Sequence, residues 1–401
     1  MLKKIIIAIK DGSFIKKVTK KIKHIYLSKI KKIFTKKIKV ENDCVLFLTF
    51  QYDYTCNPKA ICEELMKKND YKIYWAIDDK RKISNLPKNV IPVYINTLKF
   101  YKIAAKCKFV IDNANNFAYL GLEKNNDQVL LQTWHGSMGF KRLDSKSVKN
   151  QNWVNKAMLM NSITDYCIVN SKFEEDVFKS SYWPDVPMLY YGHARNDILF
   201  NKNNEFEFYS KKIREIYNID DDVKIVLFAP TFRDNSSLNS YALDYDMLLK
   251  SLEKRFPGKW CILLRMHYKL KSARVPKKYL RKVINVTDYP DMQELLCAVD
   301  VGITDYSSWM CDFVLTGKPG FLFTLDIDKY INERGFYYPL ESTPFPVASS
   351  NEVLYDKIVN FDEKKYSQNV KKFLKDKGCC ETGDASKKIV ELMFSIRGEQ
   401  I

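Results

Sequence analysis

VGITDYSSWMCDFVLTGKP, running from Val301 to Pro319, is the stretch on which the reading of this chain turns. It predicts a short apolar strand over Val301–Thr304, a polar turn over Asp305–Ser308, and then a helix over Trp309–Thr316. Two serines stand where that helix should begin, so one of them is expected to cap it. The first N–H groups of a helix have no partner within it and carry partial positive charge. A strand feeding such a start is a place for a phosphate or pyrophosphate in an α/β domain.

Working outward, strands and helices alternate on both sides. Upstream, strands are predicted at Cys44–Phe50, Tyr71–Ile77, Val90–Ile95, Phe109–Asp112, Val129–Thr133, Ile163–Asn170 and Met188–Tyr191, with helices at Pro58–Lys68, Thr97–Cys107 and Lys172–Tyr182. The polar run LFNKNNEFE (Leu199–Glu207) breaks the pattern, and a helix over Phe208–Tyr217 starts it again. Strands then follow at Ile225–Ala229, Trp260–Met266, Val283–Val286, Gly302–Thr304 and Gly320–Thr324, with helices at Met247–Phe256 and Met292–Val299 and a helical, charged end after Glu352. Such alternation implies parallel sheets covered on both faces. Two doubly wound α/β domains facing a cleft, with ligands at the carboxyl ends of the strands, is the economical architecture. The boundaries are 1–40, 41–200, 201–376 and 377–401, the last being a helical segment expected to pack back on the first domain.

The charge is unevenly placed. Residues 1–40 hold 14 lysines and one acid, Asp11, and so carry +13 of the net +18, leaving a body close to neutral. Ile15, Val18, Ile22 and Ile25 recur at helical spacing between those lysines. A basic amphipathic helix suits an anionic membrane surface, where each lysine contributes roughly 1 kcal/mol. A lysine-rich solvated arm is the plainer alternative. A nucleic-acid partner is not favoured, because the segment lacks arginine. No run of 18 apolar residues occurs. The ten cysteines include no CxxC pair and no zinc spacing, which reads as the reduced thiols of a protein that stays inside the cell.

Candidate chemistry sits at strand ends. His135, His193 and His267 each follow a predicted strand, as do Arg233 and Arg265. Gly136 next to His135 lets backbone approach a ligand closely. Arginines clamp phosphate oxygens, and a neutral histidine accepts a proton from an attacking hydroxyl, so the set points to transfer of a phosphoryl-type group. There is no Walker loop, GxGxxG or kinase signature. No metal site is called for, although Asp305 beside a pyrophosphate would hold a divalent ion such as Mg loosely.

TWHG (133–136), RND (195–197), APTFRD (229–234), LRMH (264–267), DMQELL (291–296), ITDYSS (303–308), GKP (317–319) and RGFYY (334–338) follow in an order that resembles the CDP-glycerol glycerophosphotransferases of teichoic acid synthesis. The resemblance covers roughly residues 130–340. It implies a GT-B fold, a donor domain in the C-terminal half, and passage of glycerol phosphate from CDP-glycerol to a polyprenyl-linked acceptor with release of CMP and no required cofactor. It implies His135 as base on the acceptor hydroxyl and His267 near the donor diphosphate. Arg233, Arg265, Thr304, Asp305, Ser307 and Ser308 would line the donor, and Glu294 its ribose. Gly136, Ser137, Arg195, Asn196 and Asp197 would lie near the acceptor. The family's docking helices would match residues 1–40 and place the enzyme on the cytoplasmic face of the membrane. Three departures stand out: GHARND for GYPRND, which makes His193 a structural residue by expectation; HGS for HGT; and Pro339–Leu340 after RGFYY. CDP-ribitol, a nucleotide-sugar donor and a non-catalytic polymer-binding role are the alternatives. The oligomeric state stays open.

Overall fold

A computed structural model of the protein describes residues 31, 33–68, 70–144, 148, 150–231, 242–266, 277–279 and 281–398. Most of the amphipathic segment expected on a membrane, together with Arg233 and His267, lies outside the described residues.

Two parallel sheets organise the rest. The first is built from β1 (Glu41–Leu48), β2 (Lys72–Ile77), β3 (Val90–Tyr94), β4 (Cys107–Asp112), β5 (Val129–Gln132), β6 (Tyr166–Ile168) and β7 (Met188–Leu189). Its order is β3-β2-β1-β4-β5-β6-β7. The second comprises β8 (Val223–Phe228), β9 (Lys259–Leu264), β10 (Val283–Asn285), β11 (Val301–Thr304), β12 (Gly320–Phe323) and β13 (Val347–Ala348), ordered β10-β9-β8-β11-β12-β13. Both sheets are doubly wound α/β layers of the GT-B type, as the alternation implies. The strands are apolar on both faces because helices cover both; the last five residues of β1 are all buried.

On one face of the first sheet, Phe100, Val154, Ala157 and Phe178 join the core. On the other, Ile61 and Leu65 of the Cys56–Met66 helix meet Ile389, Val390, Met393 and Phe394 of the last helix, Ala385–Arg397. That apolar stripe at helical spacing draws the chain end back onto the first sheet. Asp197 fixes its start, accepting the N–H groups of Ala385 and Ser386 at 2.8 Å each.

The pattern missed the helix Gln151–Asn161 and strand β13. The helix escaped because Met158 and Leu159 point outward, 57% and 47% exposed, and blur its amphipathic period. The expected strand Ile163–Asn170 shrinks to β6, and Met188–Tyr191 to β7.

The two halves are joined by more than the linker. After β5 the chain leaves the first domain and places Met138 and Phe140, both fully buried, in the core of the second. Each such burial contributes about 1.5–3 kcal/mol. Buried ions then cross the cleft. Arg195 Nε donates to Asp312 Oδ2 at 3.0 Å, and Asn196 and Gln293 donate to the same carboxylate at 3.1 Å each. Lys59 Nζ pairs with Asp291 at 2.7 Å and Glu294 at 2.6 Å.

Removing one partner of a buried pair leaves an uncompensated charge. Asp312→Ala is therefore expected to lower the unfolding free energy by about 3–5 kcal/mol, read from urea midpoints. The double replacement Arg195→Met with Asp312→Leu should recover most of that loss, because it removes both charges.

Candidate active site

In a doubly wound sheet the ligand crevice opens where the strand order reverses, here between β1 and β4. His135 sits at that point in the first domain. Its Nδ1 lies 2.6 Å from the carbonyl oxygen of Asn113, just beyond β4, and its ring stacks on Phe50, just beyond β1, at 5.0 Å between centroids. A carbonyl can only accept, so Nδ1 carries the hydrogen and Nε2 keeps its lone pair. Asn113 also accepts the N–H of Phe50 through Oδ1 at 2.7 Å, so one residue sets both neighbours of the ring.

The loop bearing His135 is held in a costly shape. Trp134 adopts a left-handed backbone at φ 50°, a conformation costing about 1–3 kcal/mol for a residue of this kind. Gln132 Oε1 accepts its N–H at 2.8 Å, and Asn57 Nδ2 donates to the carbonyls of Thr133 and Trp134 at 2.8 and 3.0 Å. Gly136 is required next: a Cβ there would lie 2.8 Å from Trp134 Nε1. The His135 ring keeps an open side, while protein crowds it elsewhere. Desolvation of the imidazolium pushes its pKa down to about 4; the Asn113 hydrogen bond opposes this and nearby Arg195 adds to it.

The second domain presents its own reversal, between β8 and β11. Thr304 Oγ1 and Trp309 Nε1 both donate to the Ala229 carbonyl, at 2.8 and 3.0 Å. Asp305 Oδ1 accepts the N–H and hydroxyl of Thr231 at 2.8 and 2.6 Å. Thr304 and Asp305 thus lock the turn. The expected serine cap is not made. Ser308 already has helical dihedrals (φ −66°, ψ −14°), whereas a capping residue needs extended backbone to fold its oxygen over the helix end. The helix is Trp309–Phe313, continued by the tighter turn Val314–Thr316. The Ser308 hydroxyl consequently does not cap the helix start, whose first N–H groups have no partner within the helix. Arg265, just past β9, forms no ion pair at contact distance among the described residues; its Nη1 lies 3.5 Å from Met292 Sδ, and burial lowers its pKa while the Asp291 charge opposes that.

The two reversals meet. A Cβ on Gly139 would stand 2.8 Å from Ser308 Cβ, so the His135 loop presses directly on the Asp305–Ser308 turn. Together they border a cavity of about 230 Å³ lined by His135, Gly136, Ser137 and Ser308 among others.

Other expected residues are used differently. The Arg195 guanidinium donates to the Gly136 carbonyl as well as to Asp312, so it supports the histidine loop from below rather than facing solvent. Asn196 bridges Asp312 and Glu381, and Asp197 caps the last helix. Glu294, expected at a ribose, has both oxygens engaged by Lys59 and Lys212 (2.6 and 2.7 Å) and the Tyr289 hydroxyl, which makes it part of the inter-domain clamp. His193 is fully buried, 3.0 Å from Glu174. The residues the sequence reading passed over are Phe50, Asn57, Asn113 and Asp312. Only the run DNANN after β4 carried a signal, being too polar for a core strand end.

The two doubly wound sheets are those of a two-domain GT-B protein, and one cavity is bordered by His135 from the first half and Ser308 from the second. A family model described as CDP-glycerol:poly(glycerophosphate) glycerophosphotransferase matches residues 30–395, and the chain belongs to that family. It is 32% identical over 369 residues to a teichoic acid poly(glycerol phosphate) polymerase of Staphylococcus epidermidis, covering 87% of this chain but only 50% of that protein. It is 31% identical over 354 residues to a protein of the same name from Bacillus spizizenii, covering 84% of this chain and 88% of that one. The solved structure of the wall teichoic acid polymerase TagF superposes with a TM-score of 0.81 at 30% identity, covering 96% and 98% of the two chains.

A proton-detected titration checks the state of the ring. The His135 resonance should move near pH 4, well below the usual 6.5. Because the unfolded ring protonates first as pH falls, its contribution to stability should decline between those two values. A midpoint near 6.5 would contradict the desolvated setting described here.

Proposed function

We propose that this chain transfers glycerol phosphate from CDP-glycerol to a hydroxyl of a membrane-linked, polyprenyl-type acceptor, releasing CMP. One observation carries the reading: in a member of this family, His135 and Ser308, which stands just before a helix, border one cavity from opposite domains. In this scheme the acceptor hydroxyl gives its proton to His135 Nε2 as its oxygen bonds to the phosphorus bearing glycerol. The bond from that phosphorus to the bridging oxygen breaks, and the pair of electrons leaves with CMP. Arg265 and the Ser307–Ser308 donors would hold the diphosphate, and Arg233 and His267 would join them as the family resemblance implies. A histidine variant of TagF has been soaked with CDPG, which supports the donor class. No metal is needed in this reading, so EDTA should leave the rate unchanged.

Purified wild type should release CMP from CDP-glycerol in an acceptor-dependent way. His135→Ala should reduce that rate by roughly 10²–10⁴-fold. CMP from CDP-ribitol alone would name the other polyol, and CMP from neither would overturn the donor class. The acid limb of kcat/KM should lie near pH 4, where His135 protonates.

The acceptor class implies work at the inner membrane surface. No helix among the described residues is long and apolar enough to cross a membrane. What supports surface docking is the setting of the first described residues. Lys31 and Thr35 hydrogen-bond the Leu120 and Glu123 carbonyls, on the side of the molecule where Ile33 and Tyr119 are exposed. The Asn116–Tyr119 helix there packs on Gln151–Asn161, which bears the exposed Met158 and Leu159. Vesicles containing phosphatidylglycerol should bind the protein at low salt and release it at high salt, and removal of residues 1–30 should weaken binding at least tenfold. Equal binding to neutral vesicles would rule against this surface.

A further inference from the structure

The run RGFYY (Arg334–Tyr338) takes no part in the transfer scheme, yet it touches both sides of the cleft. Its backbone pairs antiparallel with the chain that follows the His135 loop. Phe336 bridges Lys141, the Tyr337 N–H donates to the Phe140 carbonyl at 2.8 Å, and the Arg142 N–H donates to the Gly335 carbonyl at 3.2 Å. Gly335 suits this close approach: it has φ 71°, and a Cβ there would lie 3.3 Å from Arg142 Cδ. The Tyr338 hydroxyl adds a hydrogen bond to the Met138 carbonyl. The ring of Phe336 meanwhile reaches the other side. Its centroid lies 5.5 Å from that of Tyr306 and 5.6 Å from that of Tyr330, and Tyr306 stacks on Tyr330 at 4.1 Å. Tyr306 belongs to the turn Asp305–Ser308, is fully buried, and donates its hydroxyl to Asp326 at 3.0 Å. Three rings in mutual contact and a tied hydroxyl leave that turn little freedom to shift by itself.

We propose that Phe336 is a positioning residue: its ring holds the turn bearing Ser307 and Ser308 while its backbone holds the arm that carries His135, so that base and phosphate site keep one register. The inference rests on the transfer reading above and gives a role to a residue outside the reacting groups. Mechanics calls for such a contact. The Arg195 guanidinium grips the histidine loop at the Gly136 carbonyl, and a single attachment point leaves a loop free to rotate about it. The Phe336 pairing holds the same loop further along, at Lys141, and two separated points fix its orientation. Between them Gly139 presses on Ser308, where a Cβ would stand 2.8 Å from the Ser308 Cβ. Phosphoryl transfer needs the attacking oxygen and the phosphorus in line, and a misplacement of about 1 Å costs roughly 10²-fold in rate. In this scheme base and donor groups come from different domains, so contacts that cross between the domains set that distance. Loss of the ring therefore slows the chemical step and leaves each substrate's own contacts in place.

The test compares acceptor-dependent CMP release from CDP-glycerol by wild type, Phe336→Leu and Phe336→Tyr, each well below its own unfolding midpoint. Phe336→Leu keeps apolar bulk and the backbone pairing but removes the ring, whereas Phe336→Tyr keeps the ring. Phe336→Leu should lower kcat by about 10–10²-fold, with the KM for CDP-glycerol within about threefold of wild type. Phe336→Tyr should bring kcat back to within about threefold of wild type. The acid limb of the pH profile should stay where wild type has it, because Asn113 and Phe50, which set the His135 ring, are untouched. A purely structural role predicts a lower unfolding midpoint with wild-type kcat in the folded protein, and that result overturns the proposal. A fall in kcat that Phe336→Tyr does not restore overturns it too, as does a shifted acid limb, which would place the damage in the histidine's own surroundings. Should Phe336→Leu not fold, Tyr330→Leu removes the neighbouring ring of the same stack and must give the same fall in kcat; wild-type kcat there overturns the proposal. CMP release by wild type with unaltered kcat in the variants removes this inference alone. No acceptor-dependent CMP from wild type removes the transfer reading and this inference with it.

Discussion

Everything at the cleft depends on one buried carboxylate. Asp312 belongs to the second domain, one turn into the helix that follows the polar turn Asp305–Ser308, yet its donors include Arg195 and Asn196 from the chain leaving the first. Arg195 also donates to the carbonyl of Gly136, and its own N–H goes to Asn57 Oδ1 at 3.1 Å. A single guanidinium thereby ties the helix that begins beside the serines to the loop that carries the histidine. Buried ion pairs contribute modestly to stability when compared with apolar replacements, but they are costly to break and demand defined geometry. Here that demand sets where two domains stand relative to one another.

The same economy explains the histidine. The base proposed here must be neutral at working pH and present its lone pair to the substrate. Phe50 and Trp134 stack on the ring and leave one side of it open, and a main-chain carbonyl holds the proton of Nδ1. Neither device uses a carboxylate, whose charge would raise the pKa and oppose an incoming diphosphate. The strained backbone at Trp134 is tolerated because Asn57 and Gln132 satisfy its polar groups.

Both reversals of strand order border one cavity, one from each domain, and the loop between them is shared. Met138 and Phe140 leave their own sheet to complete the neighbouring core, and Tyr337 returns an N–H to the Phe140 carbonyl at 2.8 Å. This crossing closes the cavity that His135 and Ser308 border, and it leaves Glu174 inside the wall.

The amino-acid sequence by itself determined the α/β class, the two doubly wound units and the strand ends at which to look. Those follow from local period and from the need to bury both faces of each strand, which neighbouring residues encode. It also marked His135, Ser307 and Ser308 by position. It could not tell that Ser308 would enter the helix with helical dihedrals and leave its cap unmade, because that depends on how Thr304, Asp305 and Trp309 anchor the turn. Nor could it separate Arg195 and Glu294, spent on inter-domain ion pairs, from Arg265, which forms no ion pair at contact distance among the described residues. Only the tertiary structure decided those roles. Charge pairing between residues more than a hundred positions apart is a matter of distance in space, and spacing along the chain carries no record of it.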